Sequence, residues 1–340
     1  MRVLFIGGTG TISSACSPVV IEAGHDLWHL NRGRSALPAP PQVHHLQADV
    51  RDKAEVRRAI GDLTWDVVVQ WLAFAPEHIS QDLEVFAGRA GQYVLISSAS
   101  AYQKPPQNWM ITERTPLENP FWSYSRDKIA CEQLLGGQSE MPWTVVRPSH
   151  TYGPSQVPVA IGSWSKPYTI IDRVRRGSPV LVPGDGTSIW TVTHNSDFAR
   201  GFLGVLGHPD ALGEAFHITS NEALTWNQIY ELLARAAGTT ANLLHIPTDA
   251  LRWLDEGTWS GLWGDKSHCA VFDNSKIRRL VPGFQARVPF SEGIRETVQW
   301  FDADPSRKQV DEDSNKIWDR FADIYTRALK DARGSETRAD

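Results

Sequence analysis

Tyr124 and Lys128 stand four residues apart in the stretch Tyr124-Ser125-Arg126-Asp127-Lys128, a spacing that puts both on one face of a helix. Asn119-Pro120, just upstream, reads as the start of that helix. The pair has a chemical use. A phenol titrating near ~10 is a poor acid-base group at neutral pH, but a nearby ammonium or a positive nicotinamide ring favours the phenolate and lowers its pKa. Such a tyrosine can give a proton to a forming alkoxide or take one from an alcohol. A Tyr and a Lys four apart also arise by chance on helices, so the elements around them must decide.

Upstream, the apolar run Tyr93-Val94-Leu95-Ile96 leads into Ser97-Ser98-Ala99-Ser100-Ala101-Tyr102. A strand ending there sets hydroxyls at the carboxyl edge of an open α/β sheet, where ligands bind, and Ser98 is placed to hydrogen-bond a reacting carbonyl oxygen. At the N-terminus, Val3 to Ile6 runs into Gly7-Gly8-Thr9-Gly10-Thr11-Ile12-Ser13 and then into a helical pattern. Strand, glycine turn and helix in that order let a pyrophosphate approach backbone amides at a helix N-terminus. The next strand ends at Leu30, before Asn31-Arg32-Gly33. An acidic residue there would bind the ribose hydroxyls of NAD; Arg32 instead offers a guanidinium to a 2′-phosphate, which favours NADP over NAD. Asp49, after the third strand, is placed to meet the adenine amine.

The elements that must hold these residues follow from hydrophobic rhythm. Short apolar runs at Val3 to Ile6, Leu27 to Leu30, Val43 to Leu46, Asp66 to Val69, Tyr93 to Ser97 and Trp143 to Arg147 alternate with helical stretches such as Ala54 to Ile60, capped by Asp52, and Ile79 to Ala90. That alternation predicts a doubly wound parallel sheet in an α/β fold. Beyond Pro154 the pattern loosens into proline- and aromatic-rich segments, which predicts a smaller C-terminal substrate-binding lobe. The dinucleotide-binding domain is expected to take residues 1–154 and about 188–220, with a helix from Asp197 to Leu206 and a strand from Ala215 to Ile218. The lobe is expected to take 155–187 and 221–330, ending in a helix from Ile317 to Leu329, with 331–340 a frayed tail.

Composition narrows the partners. The 340 residues carry a net charge of -5 and 21% charged residues, which offers no basic field for nucleic acid. Three scattered cysteines fit a reducing cytoplasm and no disulfide framework, and no histidine-carboxylate spacing argues for a metal. The first apolar stretch is too short for a signal peptide or a membrane span. The 14 tryptophans, several in the second half, read as core and lobe packing, with Trp122, Trp164 and Trp190 as candidate pocket walls.

With the glycine loop, the serine strand and Tyr124 to Lys128 in that order, the chain resembles the extended short-chain dehydrogenase/reductase family, the NAD-dependent epimerase/dehydratase group. Arg147-Pro148 through Tyr152-Gly153-Pro154, and Pro183-Gly184-Asp185-Gly186 followed by His194 to Asp197, extend the likeness over about the first 220 residues. The resemblance implies a Rossmann domain with a C-terminal lobe and Ser98, Tyr124 and Lys128 as the catalytic triad. It also implies Gly7, Gly10 and Ser13 at the pyrophosphate, Thr11, Ile12, Val50 and Pro148 beside the cofactor, Lys128 on the nicotinamide ribose, and a homodimer. Ser13 stands where the third glycine is usual. Ser98 is favoured over Ser97 and Ser100 because it lies four before Tyr102.

Departures bear on the substrate. Trp190 stands where nucleotide-sugar members place an arginine on the diphosphate, His150 where they place an asparagine, and Ser98-Ala99-Ser100 where 4,6-dehydratases carry Thr-Asp-Glu. The reading is therefore hydride transfer at a hydroxyl or ketone carbon of a sugar-like or other small carbonyl compound, with Ser100, Trp122, His150 and Trp190 as substrate contacts. Two alternatives stay open. One is epimerisation with retained NAD. The other is a binding protein on the same scaffold, since Asn31-Arg32-Gly33 and the region from Asp172-Arg173 to Gly184 look like the chloroplast stem-loop RNA-binding branch.

Overall fold

Arg2–Ile6 forms β1 because Val3, Leu4, Phe5 and Ile6 are all apolar and all buried, as a strand covered on both faces requires. The computed structural model describes residues 1–34 and 37–336. The strands of the main sheet, numbered in chain order, are β1, β2 (Asp26–Asn31), β3 (His44–Gln47), β4 (Trp65–Gln70), β5 (Ala90–Ile96), β6 (Trp143–Arg147) and β7 (Glu214–His217). They lie in the order β7-β6-β5-β4-β1-β2-β3, every pair parallel. The order reverses between β4 and β1. This is the doubly wound α/β sheet expected from the sequence, and its carboxyl edge beside β1 is where an open sheet leaves a crevice for a ligand.

Helices cover both faces. These are α1 (Ser13–Glu22), α2 (Lys53–Ile60), α3 (Pro76–Phe86), α4 (Ser123–Gly136) and α5 (Asn195–Leu203). Alternate strand residues serve opposite faces. Val3, Phe5, Val67 and Val69 pack with Cys16 and Val20 of α1 and Phe198 and Phe202 of α5. Leu4, Ile6 and Val68 pack with Val56 of α2, Ile79 and Phe86 of α3 and Leu135 of α4. Asp52 caps α2 as expected, accepting from the Ala54 and Glu55 amides.

Two compact units emerge. The first comprises Met1–Gly153, Thr191–Ala223 and Ala270–Val288; the second comprises Pro154–Trp190, Leu224–Cys269 and the chain from Pro289 onward. Residues 270–288 therefore belong with the sheet and not with the lobe to which sequence patterning assigned them. Val271–Phe272 pairs with Met110–Ile111, and Ile277 and Phe284 enter the first unit's core. Within the second unit, Val180–Pro183 pairs with Leu243–Ile246, and Ile189–Trp190 with Leu224–Thr225.

Several boundaries shift for local reasons. α3 stops at Phe86, because Ala90 is already paired in β5. α4 begins at Ser123, three residues after Pro120, because the Asn119 side chain holds the intervening chain as a turn by accepting from Phe121 N. The last helix spans Glu312–Glu336, so residues 331–336 are helical where fraying was expected; residues 337–340 lie outside the described ones. No helix among the described residues is long and apolar enough to cross a membrane.

Candidate active site

The glycine turn leaves β1 at the sheet's reversal point. Gly7 and Gly8 adopt φ of 111° and 96°, which L side chains rarely reach. A Cβ on Gly8 would lie 2.6 Å from the His29 ring, and one on Gly7 would lie 3.2 Å from Leu72. Gly7 N donates to Leu30 O at 2.9 Å and Asn31 Nδ2 to Gly7 O at 3.1 Å, which ties the turn to β2. Ser13, where the third glycine is usual, closes the turn with its side chain: its Oγ accepts from Gly10 N at 2.8 Å. Thr11 O accepts from Asn195 Nδ2 at 2.7 Å, so α5 also braces the turn. The α1 N-terminus, at Ile12, has no side-chain cap and no acidic residue in its first turn. Bare amides at a helix N-terminus beside a Cβ-free turn fit a dinucleotide pyrophosphate.

At the β2–β3 edge lies a cavity of about 680 Å³ whose lining includes Arg32, Arg34 and Arg58 together with Asp49 and Glu55. Arg32 reaches Asp49 at 4.0 Å. Asp49 Oδ1 accepts from Arg51 N at 3.0 Å, and Asp49 N donates to Glu55 at 2.8 Å. Val50 uses its carbonyl on Gln81 Nε2. Sequence reading found Arg32 and Asp49 but missed Arg34 and Arg58. Arg58 sits on α2, and only the packing of that helix beside β3 brings it to the same cavity.

At the carboxyl end of β5 the three serines separate. The Ser97 hydroxyl donates to buried Glu132, which Arg147 grips through Nε and Nη2. Ser100 is buried, whereas Ser98 is half-buried. Ser98 Oγ lies 2.9 Å from Ser100 Oγ and accepts from Ser100 N at 3.2 Å. Pro148, buried, uses its carbonyl on Ala99 N. α4 packs against the short turn after Ser98 and carries Tyr124 half-exposed, with the Trp122 ring 4.8 Å from the Tyr124 ring. One turn further on, Lys128 is 2% exposed; its Nζ donates to Ala73 O at 2.6 Å and Ile96 O at 2.9 Å and stands 5.8 Å from the Tyr124 ring centroid. Burial pulls the Lys128 pKa down to about 8.

The expected substrate contacts fare unequally. His150 is 9% exposed in a strand, His150–Tyr152, that pairs with Val192–His194. Trp190 belongs to the second unit, where it is 2% exposed and packs on Trp226 at 5.0 Å between ring centroids; it is core there, not a pocket wall. Ser100 is too buried to meet a substrate directly. Ser125 and Asn119, which sequence reading passed over, hold Ser100: Ser125 Oγ donates to its hydroxyl at 2.9 Å and Asn119 Nδ2 to its carbonyl at 2.8 Å. The adjacency of Ser125 to Tyr124 was the one signal available.

The model of the NAD dependent epimerase/dehydratase family matches residues 3–219. A chloroplast stem-loop binding protein of 41 kDa from Arabidopsis thaliana is 27% identical over 250 residues, 70% of this chain and 63% of that protein. A 2'-dehydrokanamycin reductase from Streptomyces kanamyceticus is 24% identical over 303 residues, 84% of this chain and 81% of that protein. The UDP-glucose 4-epimerase of Thermus thermophilus, solved with NAD, superposes with a TM-score of 0.70 at 24% identity, covering 89% of this chain and 99% of that one. The glycine turn, the serine-ended strand and the Tyr-Lys helix lie within the matched residues, and the chain belongs to the NAD-dependent epimerase/dehydratase family.

Proposed function

We propose that this protein is an NADP-preferring oxidoreductase that interconverts a hydroxyl and a ketone on a sugar-like or other small carbonyl substrate. The observation that carries the reading is the half-open Ser98 hydroxyl at the end of β5, beside the helix that sets Tyr124 over the buried Lys128. A nicotinamide cofactor held by the glycine turn and the α1 N-terminus would supply or take the hydride. Ser98 holds the substrate oxygen and stabilises its developing charge. Tyr124 gives that oxygen a proton in reduction and removes it in oxidation. Lys128 keeps a positive charge under the phenol, and the carbonyls of Ala73 and Ile96 fix its position.

Arg32, Arg34 and Arg58 around one cavity support the NADP preference, since a 2′-phosphate brings charge that guanidinium groups pair with and a ribose hydroxyl does not. Arg32→Ala should weaken NADPH binding about tenfold or more and NADH binding less than about threefold, as read by nicotinamide fluorescence titration; equal losses would remove the preference. NADPH consumption against a panel of ketones, sugars and sugar nucleotides tests the reaction. Retained NAD and product without net change in the nicotinamide band would favour epimerisation instead. The stem-loop binding relative keeps RNA among the test ligands, but Arg173, in the region that resembled that branch, is 1% exposed and spends its guanidinium on Pro179 O, Asn315 and Asp319.

A further inference from the structure

Three serine hydroxyls form a hydrogen-bonded chain that ends at Ser98, its half-buried member. Ser125 Oγ, fully buried on α4 one residue after Tyr124, donates to Ser100 Oγ at 2.9 Å. Ser100 Oγ lies 2.9 Å from Ser98 Oγ, and Ser100 N donates to Ser98 Oγ at 3.2 Å. A hydroxyl has one proton and two lone pairs. If Ser98 donated to Ser100, then Ser100 would receive two protons and have no acceptor for its own among the described residues. Running the other way, Ser125 gives to Ser100 and Ser100 gives to Ser98, and every buried proton in the chain is used. Ser98 then accepts from the Ser100 amide and the Ser100 hydroxyl. Both of its lone pairs are filled, and its own proton is left to point out of the chain.

Resting on the oxidoreductase reading above, the geometry points to Ser125 and Ser100 as positioning residues that make Ser98 an obligatory donor to the substrate oxygen. Hydrogen bonds in series polarise one another, so the chain also makes the Ser98 proton a stronger donor. The chain spans two elements, because Ser125 rides on the helix that carries Tyr124 and Ser98 on the strand end. It therefore couples the proton donor and the oxygen-holding hydroxyl through one buried link. Asn119 Nδ2 on Ser100 O, at 2.8 Å, keeps the middle member from turning away.

The test uses the full-length protein with NADP bound. Crystal structures of wild type, Ser125→Ala, Ser125→Thr and Ser100→Ala should be solved at a resolution that separates serine rotamers. NADPH oxidation by 9,10-phenanthrenequinone, a general carbonyl probe, is measured on the same four proteins. Ser98 should hold one rotamer in wild type and in Ser125→Thr, and spread over two or more in Ser125→Ala and Ser100→Ala. Turnover should fall about tenfold in both alanine variants with KM within a factor of about two and NADPH affinity unchanged, and return in Ser125→Thr. A single wild-type Ser98 rotamer in both alanine variants overturns the proposal, whether or not the probe turns over. So does undiminished turnover in both. Failure of wild type to oxidise NADPH counts against the oxidoreductase reading alone, because the rotamer comparison needs no turnover.

Discussion

At the scale of single residues, the site sorts side chains by what burial leaves them free to do. Ser97, Ser98 and Ser100 are chemically identical and within four positions of one another. Strand alternation and the turn after β5 send Ser97 to the Glu132–Arg147 pair and Ser100 into the α4 contact. Only Ser98 keeps an open side. Tyr124 is half-exposed, which suits the proton-transfer role proposed for it. Tyr124→Phe removes the hydroxyl and little surface, so NADPH affinity should stay within about twofold while turnover falls at least about a hundredfold. Stopped-flow reduction and fluorescence titration on one preparation would check both halves, and turnover near wild type would remove Tyr124 from the chemistry.

At the scale of elements, positions are held by contacts between a loop and the element behind it. Gly8 shows how tight this is. Its φ of 96° and the 2.6 Å approach of His29 leave no place for a methyl group. Gly8→Ala should cost on the order of 3 kcal/mol in urea unfolding and abolish the NADPH fluorescence change at concentrations that saturate wild type. The loop after β4 is held differently. Asp82 of α3 accepts from Tyr93 Oη at 2.6 Å and Gln70 Nε2 at 2.5 Å, and Gln70 in turn accepts from Leu72 N. Burial raises the Asp82 pKa to about 6. The folded value thus lies above the unfolded one, so this carboxyl favours the folded state below the unfolded pKa of about 3.9 and loses that contribution as pH rises through about 6. Asp82→Asn has no charge to bury and can still accept both bonds. It should be about 3 kcal/mol more stable than wild type at about pH 7 and no more stable near pH 3.5, which denaturant curves at the two pH values would test.

At the scale of the whole chain, the first unit is assembled from three separated pieces. Ala270–Val288 completes it: Ile277 is fully buried, and Thr219 and Ser220 bond to Asn274. His217, at the end of β7, donates from Nε2 to Asp273 O, and its Nδ1 meets the Tyr102 hydroxyl, which accepts from Arg147. The returning piece is thereby tied to the segment after β5 that carries Ser98 and Tyr102. Ile277→Ala should lower the stability of the cofactor-binding unit by about 3 kcal/mol, and added NADPH should recover part of that loss by mass action. A loss that NADPH does not touch would place residue 277 outside the cofactor-binding unit.

The sequence by itself determined the alternation of strands and helices in the sheet unit, the glycine turn, the placement of Arg32 and Asp49 and the Tyr124–Lys128 spacing. All of these are local: a period of two or 3.6 residues, a backbone angle only glycine tolerates, or a charge beside a strand end. What the tertiary structure alone decided is long-range. It brought Arg58 to the cavity of Arg32, set Ser125 on Ser100, sent Trp190 into the second unit's core and returned residues 270–288 to the sheet. No local pattern encodes these, because each depends on which faces pack together, and burial of apolar surface settles that only when the whole chain has folded.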